Sequence, residues 1–154
     1  MRIFHYALLP YLPDLQFRGQ LRELVAIMHD WRDKGKTNHL LINRVMEYPK
    51  AHICWYFELY RKEYEKRYNK QISDKRYGKP INPNIVEEIE DFKRPTTIEM
   101  PLFSGWHNKE YLRVCMANLY EKHFFGVGKS KITDEEWQRL LDGYKTITGE
   151  EYVI

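Results

Sequence analysis

Cysteine is scarce in this 154-residue chain, with only Cys54 and Cys115 present. The two stand far apart in apolar, aromatic-rich surroundings and neither belongs to a CxxC pair, so both are expected as reduced core thiols. Long apolar runs are missing as well. No stretch approaches the roughly 20 apolar residues of a membrane span, and Leu8-Leu9 is cut by Pro10 and Pro13, which makes a poor signal-peptide core. A soluble, cytoplasmic chain is the expectation. The six histidines, at 5, 29, 39, 52, 107 and 123, show neither i, i+4 pairing nor Cys/His spacing, so no metal and no other cofactor is expected. A GxSxG elbow is absent, which removes the sequence support for a hydrolase triad. Gly126-Val127-Gly128-Lys129-Ser130 looks like the end of a phosphate loop, but His123 stands where that loop needs glycine and no strand precedes it.

Charge is present but nearly balanced, at a formal +3. Its distribution is uneven: Arg61, Lys62, Lys66, Arg67, Lys70, Lys75, Arg76 and Lys79 are interleaved with Tyr60, Tyr64, Tyr68 and Tyr77. Basic and aromatic side chains together suit nucleic acid. An equally weighted reading is a solvated helix face whose Glu58, Glu63 and Glu65 partner those cations at helical spacing.

Positions alternating with period two are few, and helical periodicity dominates. The prolines predict that residues 1–13 form an extended leader, after which Asp14 caps a helix from Leu15 to about Lys34. Leu21, Leu24, Val25, Met28 and Trp31 form its buried stripe, and Gln16, Gln20 and Glu23 a polar strip on the opposite side, beside Gly19 where a leader or a ligand could lie. A second helix is expected over His39–Tyr48, and a third from Pro49 to about Tyr68, its Trp55, Tyr56, Phe57, Tyr60 and Tyr64 serving as core and groove wall. Residues 69–106 read as a long proline-rich loop holding one short helical piece, Ile85–Phe92. Helix resumes over about Asn108–Phe124, and Thr133-Asp134-Glu135-Glu136 is a capping box that opens a last helix ending at Gly143. The sum is an all-α fold: a single compact domain, 1–154, of about five or six helices with an extended N-terminal leader.

The remaining chemistry centres on Glu23 beside Arg22 and on the chain's α-amine. An α-amine has a reference pKa near 8, against about 10.4 for lysine, so a useful fraction is an uncharged nucleophile at neutral pH. Asp14, Gln16 and the run Gln20-Leu21-Arg22-Glu23-Leu24, behind the opening Met1-Arg2-Ile3, resemble the pyrimidine dimer DNA glycosylases, the phage-type ultraviolet-damage endonucleases. In that family, which is small and all-helical, the N-terminal amine attacks the sugar C1′ of the damaged nucleotide, and a glutamate following an arginine on the first helix assists base removal and strand cleavage. The resemblance therefore implies a glycosylase with AP lyase activity in base excision repair, with Met1 and Glu23 catalytic and Arg2, Gln16, Arg18, Arg22, Asn118 and Lys122 on DNA.

Its implied partner is double-stranded DNA containing a lesion, bound by a monomer in the cytoplasm of a bacterial or phage-infected cell. Asn118 and Lys122 enter through Ala117-Asn118-Leu119-Tyr120-Glu121-Lys122, similar to a family helix in which an arginine and a lysine touch DNA. Lys122 matches that lysine, and Asn118 replaces the arginine. Gln16 stands where the best-known member has histidine, and Ala26 or Ile27 where it has a further arginine. That member exposes threonine after methionine removal, whereas Arg2 is too bulky for trimming, which leaves the Met1 amine as the nucleophile. Two other classes remain: a non-catalytic nucleic-acid-binding module with the same fold, and a helical interaction protein in which Glu23 belongs to a salt-bridge network with Arg18 and Arg22.

Overall fold

The computed structural model describes residues 3–70 and 97–154. Every regular element among them is helical: α1 (Asp14–Lys34), α2 (Leu40–Asn43), α3 (Lys50–Tyr68), α4 (Lys109–Phe124) and α5 (Asp134–Thr148), with 3-10 turns at Tyr6–Tyr11, Arg44–Glu47 and Gly128–Ser130. The fold is all-α. The expected helical piece Ile85–Phe92, the basic residues Lys75, Arg76 and Lys79, and Tyr77 lie outside the described residues. The chain divides into two compact units, one of Met1–Ile3 with Gly19–Phe103 and one of Phe4–Arg18 with Ser104–Ile154.

In the first unit, the stripe expected on α1 is the buried one: Leu21, Leu24, Val25, Met28 and Trp31 are all at most 4% exposed. The helix stops where Gly35, at φ 73°, takes a left-handed conformation that strains other residues, and its N–H still reaches the Trp31 carbonyl. Asn43 then fastens the turn, accepting from Trp31 Nε1 and the Thr37 N–H and donating to the Thr37 carbonyl at 2.8 Å. The second helix is shorter than periodicity suggests, because after Asn43 the backbone tightens into a 3-10 turn that buries Val45. Pro49 caps α3, as its missing N–H permits. The aromatic face of α3 is core: Tyr56, Phe57, Tyr60 and Tyr64 are each at most 1% exposed.

In the second unit, the leader is not extended. Tyr6–Tyr11 winds into a 3-10 turn that contains Pro10 and buries Leu8 and Leu9. His5 starts it: its carbonyl accepts from the Leu8 N–H, and its ring Nδ1 from the Ala7 N–H. Short 3-10 pieces need few N–H donors, so a proline that would break an α-helix is accommodated. The capping box at the start of α5 forms in full, with Glu136 N–H on Thr133 Oγ1 at 3.2 Å and Thr133 N–H on Glu136 Oε1 at 3.0 Å. The helix continues past Gly143 to Thr148 and ends on left-handed Gly149. Gly143 is a packing glycine inside the helix, because a Cβ there would collide with the Tyr11 ring. Arg139 donates to the Pro10 carbonyl at 2.6 Å and ties the same turn to α5. Gly143→Ala should therefore lower stability by about 1–3 kcal/mol, measured by thermal or urea unfolding.

His5 is 5% exposed, and its Nε2 bonds the His107 carbonyl at 2.9 Å while Nδ1 accepts from Ala7. Burial lowers its pKa from 6.5 to about 4, against the opposing effect of the His107 carbonyl. The folded chain thus holds this ring neutral, whereas the unfolded chain protonates it first as pH falls. Its contribution to stability is complete above pH 6.5 and is lost from there down toward about 4. Melting temperatures compared between pH 7 and 5 should fall for the wild type and change less for His5→Gln, whose side chain does not titrate.

Candidate active site

Glu23 lies on α1 with an exposed side chain, and Arg22 beside it is exposed too. The turn before them is anchored. Gln20 is 4% exposed, and its Oε1 accepts from Tyr56 Oη at 2.7 Å and Tyr60 Oη at 2.9 Å. A buried amide oxygen has two lone pairs, and two phenols four residues apart on α3 fill them. The rotation of α1 about its axis is fixed in this unit by that fork, which sets the direction of residues one turn away.

The chemistry of the fork reaches Glu23. Burial pushes the Tyr60 hydroxyl well above its ordinary 10.0; the Arg67 charge and the bond to Tyr56 oppose this, and the Glu23 charge adds to it. Arg67 and the exposed Glu23 thus both lie near enough to Tyr60 for their charges to act on its hydroxyl. Arg67 bonds Glu63 through Nε at 2.8 Å, both side chains nearly covered. Arg61 sits 3.7 Å from Glu58. At these two positions the expected ion pairing of the basic run holds, but the pairs are nearly covered and not a solvated face, while Lys62, Lys66 and Lys70 are exposed.

The polar strip of α1 is not the open surface that its composition suggests. Gln16, like Gln20, is buried, at 8% exposure, and its amide reaches the Ser130 carbonyl at 3.5 Å. Arg18 and Gly19 are half-exposed. Among the described residues nothing lies within 4 Å of where a Gly19 Cβ would stand. Asn118, half-exposed, and Lys122, exposed, are one turn apart on α4. Met1 and Arg2 lie outside the described residues. Tyr56, Tyr60 and Arg67 join the candidate site from α3; their sequence marks the tyrosines as core and groove wall and Arg67 as one of a basic run, but does not link them to Gln20 or Glu23.

Residues 1–76 match the family model described as pyrimidine dimer DNA glycosylase. The matched segment is 76 of the chain's 154 residues, at its N-terminal side. The matched segment holds Met1, Arg2, Gln16, Arg18, Arg22 and Glu23, together with the Tyr56, Tyr60 and Arg67 face of α3; Asn118 and Lys122 fall beyond it. The match supports a function of the pyrimidine dimer DNA glycosylase type, with lesion-bearing DNA as what is bound. No curated protein and no solved structure matches the chain. Among the described residues no group of three or more His, Cys, Asp or Glu side chains could hold a metal ion, and no helix is long and apolar enough to cross a membrane.

Gln20→Leu removes the acceptor for two buried phenols. Leaving such groups short of a partner costs about 1–3 kcal/mol each, so the variant should unfold at clearly lower urea concentration. Glu23→Gln, on the exposed side of the same helix, should leave the unfolding midpoint nearly unchanged.

Proposed function

We propose that the chain is a DNA glycosylase with AP lyase activity, acting in base excision repair on damaged or modified pyrimidines, ultraviolet dimers first among them. The carrying observation is the exposed Glu23 carboxylate on an anchored turn of α1, inside the segment that matches the family. In this reading the Met1 α-amine adds to C1′ of the damaged nucleotide, the glycosidic bond breaks, and the base departs. The sugar ring opens to an imine between C1′ and the amine. Loss of a C2′ proton then expels the 3′ oxygen by β-elimination and cuts the strand.

Glu23 supports both halves: its negative charge stabilises the cationic sugar as the base leaves, and its carboxylate carries protons during ring opening and elimination. Arg2, Arg18, Arg22 and Lys122 are assigned to phosphates, with Gln16 and Asn118 at positions where family members contact DNA. Gln16 acts from within, by holding the Ser130 carbonyl. The protein works as a cytoplasmic monomer on duplex DNA, without metal or cofactor. A second reading, a non-catalytic nucleic-acid-binding module, is favoured by Asn118 standing where the resembling helix has arginine.

Borohydride trapping on abasic or ultraviolet-irradiated duplex separates the two. The expected result is a covalent adduct that peptide mass spectrometry locates at the Met1 nitrogen, and Glu23→Gln should reduce strand cleavage at least about 100-fold while duplex affinity stays within about twofold. DNA binding without any adduct would establish the binding module instead. An adduct on a lysine side chain would remove Met1 from the mechanism.

A further inference from the structure

The last residue of α4 and the loop that leads to α5 display large apolar side chains to solvent. Phe124 is 62% exposed, Phe125 72% and Val127 80%. Single exposed apolar residues are ordinary, but three within four positions form a patch of the kind that marks a contact surface. From Lys122 through Thr133 the chain has no acidic residue, whereas Lys122, Lys129 and Lys131 are all exposed. The tip is apolar and the charges within the loop are all cationic, with exposed Glu121, Asp134 and Glu135 on the helices at either side.

The loop is also held in shape. Its ends are closed by the Ile132 N–H on the Lys122 carbonyl at 3.3 Å and by His123 Nδ1 donating to the Ile132 carbonyl at 3.0 Å. Ile132 is fully buried, and the His123 ring stacks on Trp137 at 5.5 Å between centroids. Inside the loop, Lys131 N–H reaches the Gly128 carbonyl at 3.3 Å and Ser130 Oγ the Val127 carbonyl at 3.0 Å. Gly126 is required by proximity, since a Cβ there would strike the Lys122 carbonyl oxygen and stand 2.9 Å from Lys131 Cα. At the tip, Phe124 and Phe125 meet edge to face at 4.8 Å, and Phe124 stacks on Tyr120 at 5.7 Å.

We infer that Phe124 and Phe125 form an aromatic wedge that enters the base stack of duplex DNA at the lesion, with Lys122, Lys129 and Lys131 on the flanking phosphates. The partner class rests on the glycosylase reading above. The charge and the planar faces follow from the loop itself: duplex DNA offers a polyanionic surface with apolar, stackable faces just beneath, and proteins that kink or open it insert such side chains between base steps. A lesion has already weakened stacking, so insertion is cheapest there. Ordering in advance, by the closing hydrogen bonds and Gly126, removes part of the entropy loss that a floppy loop would incur on binding.

The test uses the full-length protein and a duplex carrying a stable abasic analogue with 2-aminopurine beside it. Wild-type binding should raise 2-aminopurine fluorescence as the neighbouring step opens. F124A/F125A should bind about tenfold more weakly or worse and lose the rise, and F124W/F125W, which retains planar faces, should restore it. Both side chains are exposed, so circular dichroism and melting should be unchanged in each variant. Equal affinity and an equal fluorescence rise in F124A/F125A would overturn the wedge. If wild-type protein gives no borohydride adduct but the variants still differ in this way, the lyase reading fails and the wedge stands. Phe-dependent sedimentation with phosphatidylserine-containing vesicles, alongside unchanged duplex affinity, would replace DNA by a lipid surface and overturn the inference.

Discussion

Two phenol hydroxyls on one buried amide oxygen form the constraint on which the proposed chemistry depends. Tyr56 and Tyr60 both donate to Gln20 Oε1, across 36 and 40 residues of sequence. A hydrophobic stripe alone lets a helix roll by a few tens of degrees without losing much buried area. A directional hydrogen-bond fork does not. Because Glu23 follows Gln20 by three residues, the fork converts a core contact into an orientation for a surface carboxylate. The same contact places a phenol, Tyr60, where it feels the glutamate's charge.

Apolar periodicity made much of the helical framework legible from the sequence. The stripe from Leu21 to Trp31, the start of α3 at Pro49 and the capping box at Thr133 all follow from local rules, since each needs only neighbours within a few residues. The departures share an opposite cause. Gln16 and Gln20 read as a wet strip because glutamine is usually exposed, but their partners come from distant sequence and satisfy them in the interior. Gly143 looked like a helix end because glycine lowers helix propensity, and the close Tyr11 ring outweighs that preference. The leader's turn likewise depends on His5, whose ring is tied to the His107 carbonyl 102 residues away.

The candidate site was legible in a similar, partial way. Arg22 and Glu23 stood out through order and position near the start of the chain, and the family match covers them. Tyr60 and Arg67 stood out only as members of an aromatic-basic run, for which nucleic acid and helical ion pairing, the latter seen in the Arg67–Glu63 contact, weighed equally. The exposed tip at Phe124 and Phe125 was hidden for another reason: helical periodicity marks where the helix ends but not which way its last side chains face. Only the course of the chain after Phe124, closed back on Lys122 through Ile132, turns them outward.

The two cysteines carry a consequence of their own. Each compact unit contains one buried thiol, Cys54 at 4% exposure in the first and Cys115 at 0% in the second. A thiol reacts with an alkylating reagent as the exposed thiolate, so a buried one is labelled only during openings of its surroundings. The chain thus comes with two native reporters, one per unit. Their labelling rates measure how often each unit opens, without any engineered probe and without assuming that the units open together.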